Sequence, residues 1–230
     1  MKPFCLEHSL YLVISTIIII PFIICAKKFA KEEKTQNTII KVLGILLLLS
    51  ILANRITRMF ITGKFTWHYF FPTTLCGATN FLLAFAVLFG KKDNGIYHFL
   101  WLLAFAGGIL ATIYPNYLDD HNSFFHPETI TSLLHHTFSF VTVIILLMFK
   151  HINVTYKKWY YSLIGICAYI LYGALMMGIF QYPDAFNMCV PILNNTPLTI
   201  WVMGPIYIVV YTIILLIVEL FRRKNKKFYN

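Results

Sequence analysis

Cys76 and His136 are the two residues whose types and settings could do chemistry together. A thiol beside an imidazole base is the pairing that forms and resolves covalent acyl intermediates. Cys76 lies in the stretch Trp67-His68-Tyr69-Phe70-Phe71-Pro72-Thr73-Thr74-Leu75-Cys76-Gly77-Ala78-Thr79-Asn80. Pro72 predicts a helix start there, since its missing N–H would be unpaired in a first turn anyway. Read forward at helical spacing, Thr73, Cys76, Gly77 and Asn80 form one polar stripe on an apolar segment. About one turn inside a helix N-terminus, unpaired N–H groups and the helix dipole favour a thiolate. The alternative is a small packing residue, as buried cysteines commonly are.

His136 belongs to a second stripe, Ser132, His136 and Ser139, which starts from the same side of the chain's hydrophobic segments. Ionisable groups inside an apolar span usually face a bundle interior or cavity, so base and nucleophile could meet. His135 points about 100° away from His136 on an ideal helix. Either histidine could instead satisfy an interhelical hydrogen bond. Asn80 and the N–H groups at the helix start are candidate oxyanion donors. Arg55 and Arg58 end the second apolar segment, and Asn54 shares a face with Arg58. Snorkelling to the interface stands ahead of a second possibility, a guanidinium clamp on a lipid phosphate or carboxylate.

The elements that must position these residues are membrane helices. Hydrophobic residues make up 59% of the chain and charged residues 12%, which excludes a soluble domain with a polar surface. Seven segments approach the ~20 residues of a spanning helix: Ser9–Ala26, Ile39–Phe60, Pro72–Gly90, Ile96–Tyr114, Thr131–Phe149, Trp159–Phe180 and Thr199–Phe221. The expected fold is therefore all-α, a single polytopic membrane domain over residues 1–230 with a basic cytoplasmic tail at 222–230. The connections alternate in charge, and 15 of the 19 Lys and Arg residues fall on one side. The positive-inside rule then puts the N-terminus outside and the C-terminus in the cytoplasm. The basic clusters read as topology signals and contacts to anionic lipid headgroups; without interleaved aromatics they do not predict nucleic acid. The first apolar run lacks a small-x-small cleavage site and reads as a retained span.

On this topology Cys76, His135 and His136 enter the membrane from the outer face, with His8 at the outer boundary. The five cysteines form no CxxC pair, and only Cys5 and Cys189 could meet outside. Asp119, Asp120, His121 and His126 lack a metal-ligand spacing, so no metal and no cofactor are expected. Ala104, Gly107, Gly108 and Ala111 make a seam of small residues for a neighbouring helix. The loop from Gln181 to Leu198, with Asn194 in it, could form a lid over the outer end, and Pro205 should bend the last span.

The ordered features resemble the YwaF family of bacterial integral membrane proteins over nearly the whole chain. The residues that carry the resemblance are Glu7-His8, Pro72 to Leu75-Cys76, the Gly-rich fourth span followed by Pro115-Asn116, His136, and Gly204-Pro205. Thr73-Thr74 stand where that family often has Leu-His, and Asn116 stands where Asp is common. The family is distantly similar to a eukaryotic ether-phospholipid acyltransferase that uses a membrane cysteine. Beyond that it is similar to the androgen-induced-gene hydrolases, which use an intramembrane Thr and His on fatty-acid esters. The resemblance implies Cys76 as nucleophile and His136 as base, in the bacterial plasma membrane.

Together these observations lead to an acyltransferase or lipid (thio)ester hydrolase acting at the outer leaflet on a membrane lipid. His8, Arg55, Arg58, Thr73, Asn80, His135 and Ser139 would support the site or bind substrate. The rival is a non-enzymatic lipid- or solute-binding or transport protein. Below Asn80 and Ser139 both stripes turn apolar, which fits a one-sided site better than a channel.

Overall fold

The structure, a computed structural model, describes residues 3–63, 65, 67–115, 123–192 and 195–227. Asn116, Asp119, Asp120, His121 and Asn194 lie outside the described residues, as does the side chain of His68. Among the described residues all regular structure is helical. The helices are α1 (Leu6–Phe29), α2 (Glu33–Thr62), α3 (Leu75–Phe89), α4 (Gly95–Ile113), α5 (Pro127–Met148), α6 (Tyr160–Gly178) and α7 (Ile200–Lys227). All except α3 are long and apolar enough to cross a membrane.

At 15 residues, α3 is roughly 22 Å long, less than the ~30 Å of a hydrocarbon core. At one end Gly77 lies against Arg55, and at the other Lys92 pairs with Glu33 at 3.2 Å. These contacts are separated by about 22 residues of α2, roughly 33 Å, so the α3 segment runs antiparallel along nearly all of its neighbour.

Two corrections concern the start of α3. The helix begins at Leu75, not near Pro72, because Thr74 is in an extended conformation and its hydroxyl caps the Gly77 N–H at 3.1 Å. The carbonyl of Thr73 is taken by the Phe186 N–H at 2.7 Å. Thr73 therefore lies in the approach and is not part of a helical stripe. Cys76 is the second helical residue and not a full turn inside. At the C-terminal end of the chain, α7 passes unbroken through Pro205 and continues to Lys227, so the first basic residues after Phe221 are helical.

Helices α2 to α5 form the packed centre. The buried Leu47, Leu83, Leu100 and Leu146 each come from a different one of these helices and share one core. Helix α1 is mostly exposed and is held at its first turns: the Tyr11 hydroxyl meets Thr137 Oγ1 at 2.6 Å, and Glu7 accepts from the Phe124 N–H at 2.8 Å. Cys5 packs against Leu133, and Cys189 sits in a loop whose N–H groups are capped by Asp184; both are free thiols. The pairing that the sequence leaves open is not formed.

The opposite end of the bundle is tied by Asp93 in the α3–α4 turn. Its carboxylate receives Lys158 at 2.5 Å, the Asn153 N–H at 2.8 Å and the ring of buried His98 at 2.7 Å. This network fixes the α5–α6 connection to the α3–α4 turn.

Candidate functional site

Four helices bring the candidate residues to one end of the bundle, and the Gly107-Gly108 pair of α4 is the meeting point. A Cβ at Gly107 would sit 3.8 Å from Cys76 Sγ; one at Gly108 would sit 2.9 Å from the His136 carbonyl oxygen. Adjacent glycines thus admit the nucleophile candidate on α3 and the backbone of the base candidate on α5. At Gly108 only a residue without a Cβ lets the helices approach so closely, whereas at Gly107 an added Cβ would meet Sγ at ordinary contact distance. The seam expected from small residues is present, and it also borders Cys76.

The polar stripe of α5 is bonded at both ends. Asn54 of α2 donates to Ser132 Oγ at 2.8 Å and to Thr131 Oγ1 at 3.1 Å. Ser139 donates to Asn80 Oδ1 of α3 at 2.6 Å. His136 lies between these two staples and is buried. Since Cys76 precedes Asn80 by one turn and His136 precedes Ser139 by about one, both lie one turn above the Asn80–Ser139 bond.

Asn80 is buried, and among the described residues its Nδ2 donor has no acceptor. A buried donor left unmade costs about 1–3 kcal/mol, so this amide is placed to receive something. In the first turn of α3 the Gly77 N–H goes to the Thr74 hydroxyl and the Ala78 N–H to the Thr74 carbonyl. The Leu75 and Cys76 N–H groups are left over among the described residues, as the opening of a helix requires.

His135 donates from Nδ1 to the Thr131 carbonyl at 3.0 Å, and its ring centroid is 4.3 Å from that of His136. Both histidines therefore sit together at this end, although successive residues diverge around a helix. Arg58 pairs with Glu128 at 2.6 Å, joining α2 to α5. The acidic partner lies in the first turn of α5, and the pair is a helix-to-helix tie that the sequence reading did not name. Arg55 extends across Gly77, with Nη2 2.8 Å from where a Cβ would be. No carboxylate among the described residues pairs with it.

His8 stands apart from this group. The Phe4 N–H donates to its Nδ1 at 2.9 Å, which leaves Nε2–H to donate to the Thr112 carbonyl, also at 2.9 Å. Both nitrogens are used, and His8 anchors α1 to the end of α4.

A cavity of about 640 Å³ lies between α3 and α6, floored by α4. Its lining includes neither Cys76 nor His136. Tyr169 lines this cavity, hydrogen-bonds Thr79 at 3.1 Å, and lies within electrostatic reach of Cys76. Sequence reading missed Tyr169, Thr79 and the cavity; the available signal was the run of small residues Gly165 and Ala168 facing Ala78.

Residues 3–221 match the TMEM164 family. No curated protein and no solved structure matches the chain.

Proposed function

The chain belongs to the TMEM164 family of membrane proteins, and on that premise we propose that it moves or hydrolyses an acyl chain at the outer leaflet. The observation that carries this reading is the placement of Cys76 Sγ against Gly107 and of the His136 backbone carbonyl against adjacent Gly108, both residues one turn above the Asn80–Ser139 staple. In the proposed step His136 takes the Cys76 thiol proton and Sγ attacks the ester carbonyl carbon. The ester C–O bond breaks, and the departing oxygen takes the proton back. An acceptor hydroxyl, thiol or water then attacks the thioester carbonyl as His136 takes its proton, the C–S bond breaks, and that proton returns to Sγ to regenerate the cysteine. Asn80 Nδ2 and the Leu75 and Cys76 N–H groups supply donors for the oxyanion.

The reading includes seven crossings with the N-terminus outside. It also includes the YwaF grouping and a bacterial plasma-membrane address, which rest on the resemblance above, and basic connections that meet anionic headgroups. Support for catalysis over transport comes from the apolar residues buried below the staple, Leu83, Val87, Val143 and Leu146.

The test is acyl exchange between labelled phospholipids in reconstituted vesicles. Exchange by the wild type, lost in Cys76→Ser and in His136→Ala but retained in Cys25→Ser and Cys167→Ser, is the expected result. Wild-type-like exchange in Cys76→Ser sinks the covalent mechanism. Absence of exchange by the wild type across a broad lipid panel transfers preference to lipid binding or transport.

A further inference from the structure

We propose that the groove between α3 and α6 holds one acyl chain of an anionic membrane lipid, with Arg55 receiving the headgroup. The groove is the ~640 Å³ cavity lined in part by Tyr169, a volume within the range of pockets that enclose a small-molecule ligand. Ala78 and Leu82 of α3 face Ile164, Ala168 and Tyr172 of α6 across it, and Phe99 of α4 forms its floor. Apart from the hydroxyls of Tyr161, Tyr169 and Tyr172, such a lining is apolar and selects for hydrocarbon.

Two dimensions identify the occupant. The lining runs from Tyr161 to Tyr172 along α6, 11 residues or roughly 16 Å, which is about half of a ~30 Å hydrocarbon core. The lining also includes Pro72 ahead of α3 and Gly95 at the start of α4, so an extended acyl chain entering at one end runs along α3 toward the other end of the bundle. The side is open: Ile164 is 56% exposed and Leu82 39% exposed, so a chain slides in laterally from the bilayer. Water cannot fill an apolar slot at membrane depth favourably, whereas lipid is at hand.

Charge sets the class of headgroup. At the end of the groove away from Tyr161, Pro72 and Tyr172 are lining residues. Pro72 is also 3.6 Å from the position of a Gly77 Cβ, where Arg55 Nη2 lies at 2.8 Å, and the Tyr172 and Tyr182 hydroxyls are within electrostatic reach of Arg55. An apolar slot therefore ends beside a guanidinium that pairs with no carboxylate among the described residues. Arg58, three residues on, is already paired with Glu128. A guanidinium fork fits phosphate oxygens bidentately. Over the same end lies Phe186, fully buried and hydrogen-bonded through its N–H to Thr73, and Phe71 stacks on Phe180.

The inference deepens the acyl-transfer reading and rests on it for the lipid's role as substrate, but not for its binding. The test uses the full-length protein in phosphatidylcholine vesicles doped with phosphatidylglycerol carrying a diazirine in one acyl chain. After photolysis the labelled peptides are mapped by mass spectrometry, and lipid-facing α1 serves as the internal reference. Enrichment of label on α3 and α6 over α1 is expected. Ala168→Trp, which fills the slot, should reduce that enrichment about tenfold, and Leu82→Trp is the second plug should the first not fold. Arg55→Gln should lower labelling by the phosphatidylglycerol probe about tenfold, to the level of a diacylglycerol probe, while Arg55→Lys retains part of it. Label spread evenly over α1 and α6, or unaffected by either plug, overturns the groove. Equal labelling by charged and uncharged probes in the wild type overturns the role of Arg55. Groove labelling without acyl exchange leaves this inference standing and removes the catalytic one; exchange without groove labelling does the reverse.

Discussion

The Ser139 hydroxyl of α5 donates to the Asn80 side-chain carbonyl of α3 at 2.6 Å, one turn below Cys76 and His136. The bond sets the register between the helices that carry the two candidates. Ser139→Ala should destabilise the protein by about 0.6 kcal/mol, with an upper bound near 1.7, the range of interhelical hydrogen bonds in membranes. Thermal unfolding in detergent reads this directly. Acyl exchange should fall by more than the loss of folded protein, because Asn80 would be free to rotate its amide away from the thiol. Equal losses of folding and exchange would reduce Asn80–Ser139 to a staple.

Gly107 and Gly108 should respond differently to added side chains. At Gly108 a Cβ meets the His136 backbone oxygen at 2.9 Å and the Phe140 Cβ at 3.1 Å, neither of which can yield without moving α5. Gly108→Val should therefore destabilise by about 1–3 kcal/mol. At Gly107 the nearest atom is Cys76 Sγ at 3.8 Å, an ordinary contact. Gly107→Ala should fold normally, whereas Gly107→Leu should shield the thiol. The measurement is the rate of Cys76 alkylation by a lipid-like maleimide, expected to drop in the Leu variant and to change little in the Ala variant.

Much of this arrangement was legible in the chain. Membrane helices follow from apolar length, and six of the seven sequence-predicted segments match helices long enough to span. The stripe Ser132–His136–Ser139 was readable because helical period alone places those residues on one face. What periodicity cannot supply is the partner. Asn54 and Asn80 reach α5 from different helices, and Glu128 reaches back to Arg58 across about 70 residues of sequence. The start of α3 was misread because Pro72 and Thr74 are both acceptable helix openers. The choice fell to Thr74 once the Phe186 N–H claimed the Thr73 carbonyl, a long-range contact with no local trace. The groove was invisible for a related reason: it is a place where α3 and α6 fail to fill space, and absent contacts leave no periodic signature.

Asp93 gives a pH prediction at the other end of the bundle. Burial alone would raise its carboxyl, but hydrogen bonds from Lys158, the Asn153 N–H and His98 outweigh it and hold the carboxyl below its ordinary value. A carboxyl depressed in the folded state contributes stability that is present above its unfolded pKa of about 3.9 and lost as pH falls through the folded value. Wild-type stability should therefore decline below about pH 4, with a shallower decline in Asp93→Asn. At neutral pH Asp93→Asn should cost about 1–3 kcal/mol, because His98 and Lys158 lose a charged partner. Unfolding midpoints of both proteins across pH 3–7 measure it. Parallel curves for wild type and variant would show that Asp93 does not carry the acid sensitivity.

The outer-leaflet assignment depends on orientation, and one natural thiol reports it. Cys189 is exposed and free in the α6–α7 connection, at the same end of the bundle as Thr73, since neighbouring Phe186 bonds to it. Fifteen of the 19 basic residues cluster at the other end, where Arg222 bonds the Val154 carbonyl at 2.9 Å. If these residues face the cytoplasm, Cys189 must face outside. In a background with Cys5, Cys25 and Cys167 replaced by serine and Cys76 retained, a membrane-impermeant maleimide applied to intact cells should label Cys189 and leave a cysteine introduced at Lys224 unreacted. Permeabilisation should expose the Lys224→Cys thiol and leave the Cys189 signal unchanged. The opposite order of labelling would turn the bundle over. Cys76, His136 and the Arg55 end of the groove would then open to the inner leaflet, and the substrate would have to be sought among cytoplasmic-face lipids.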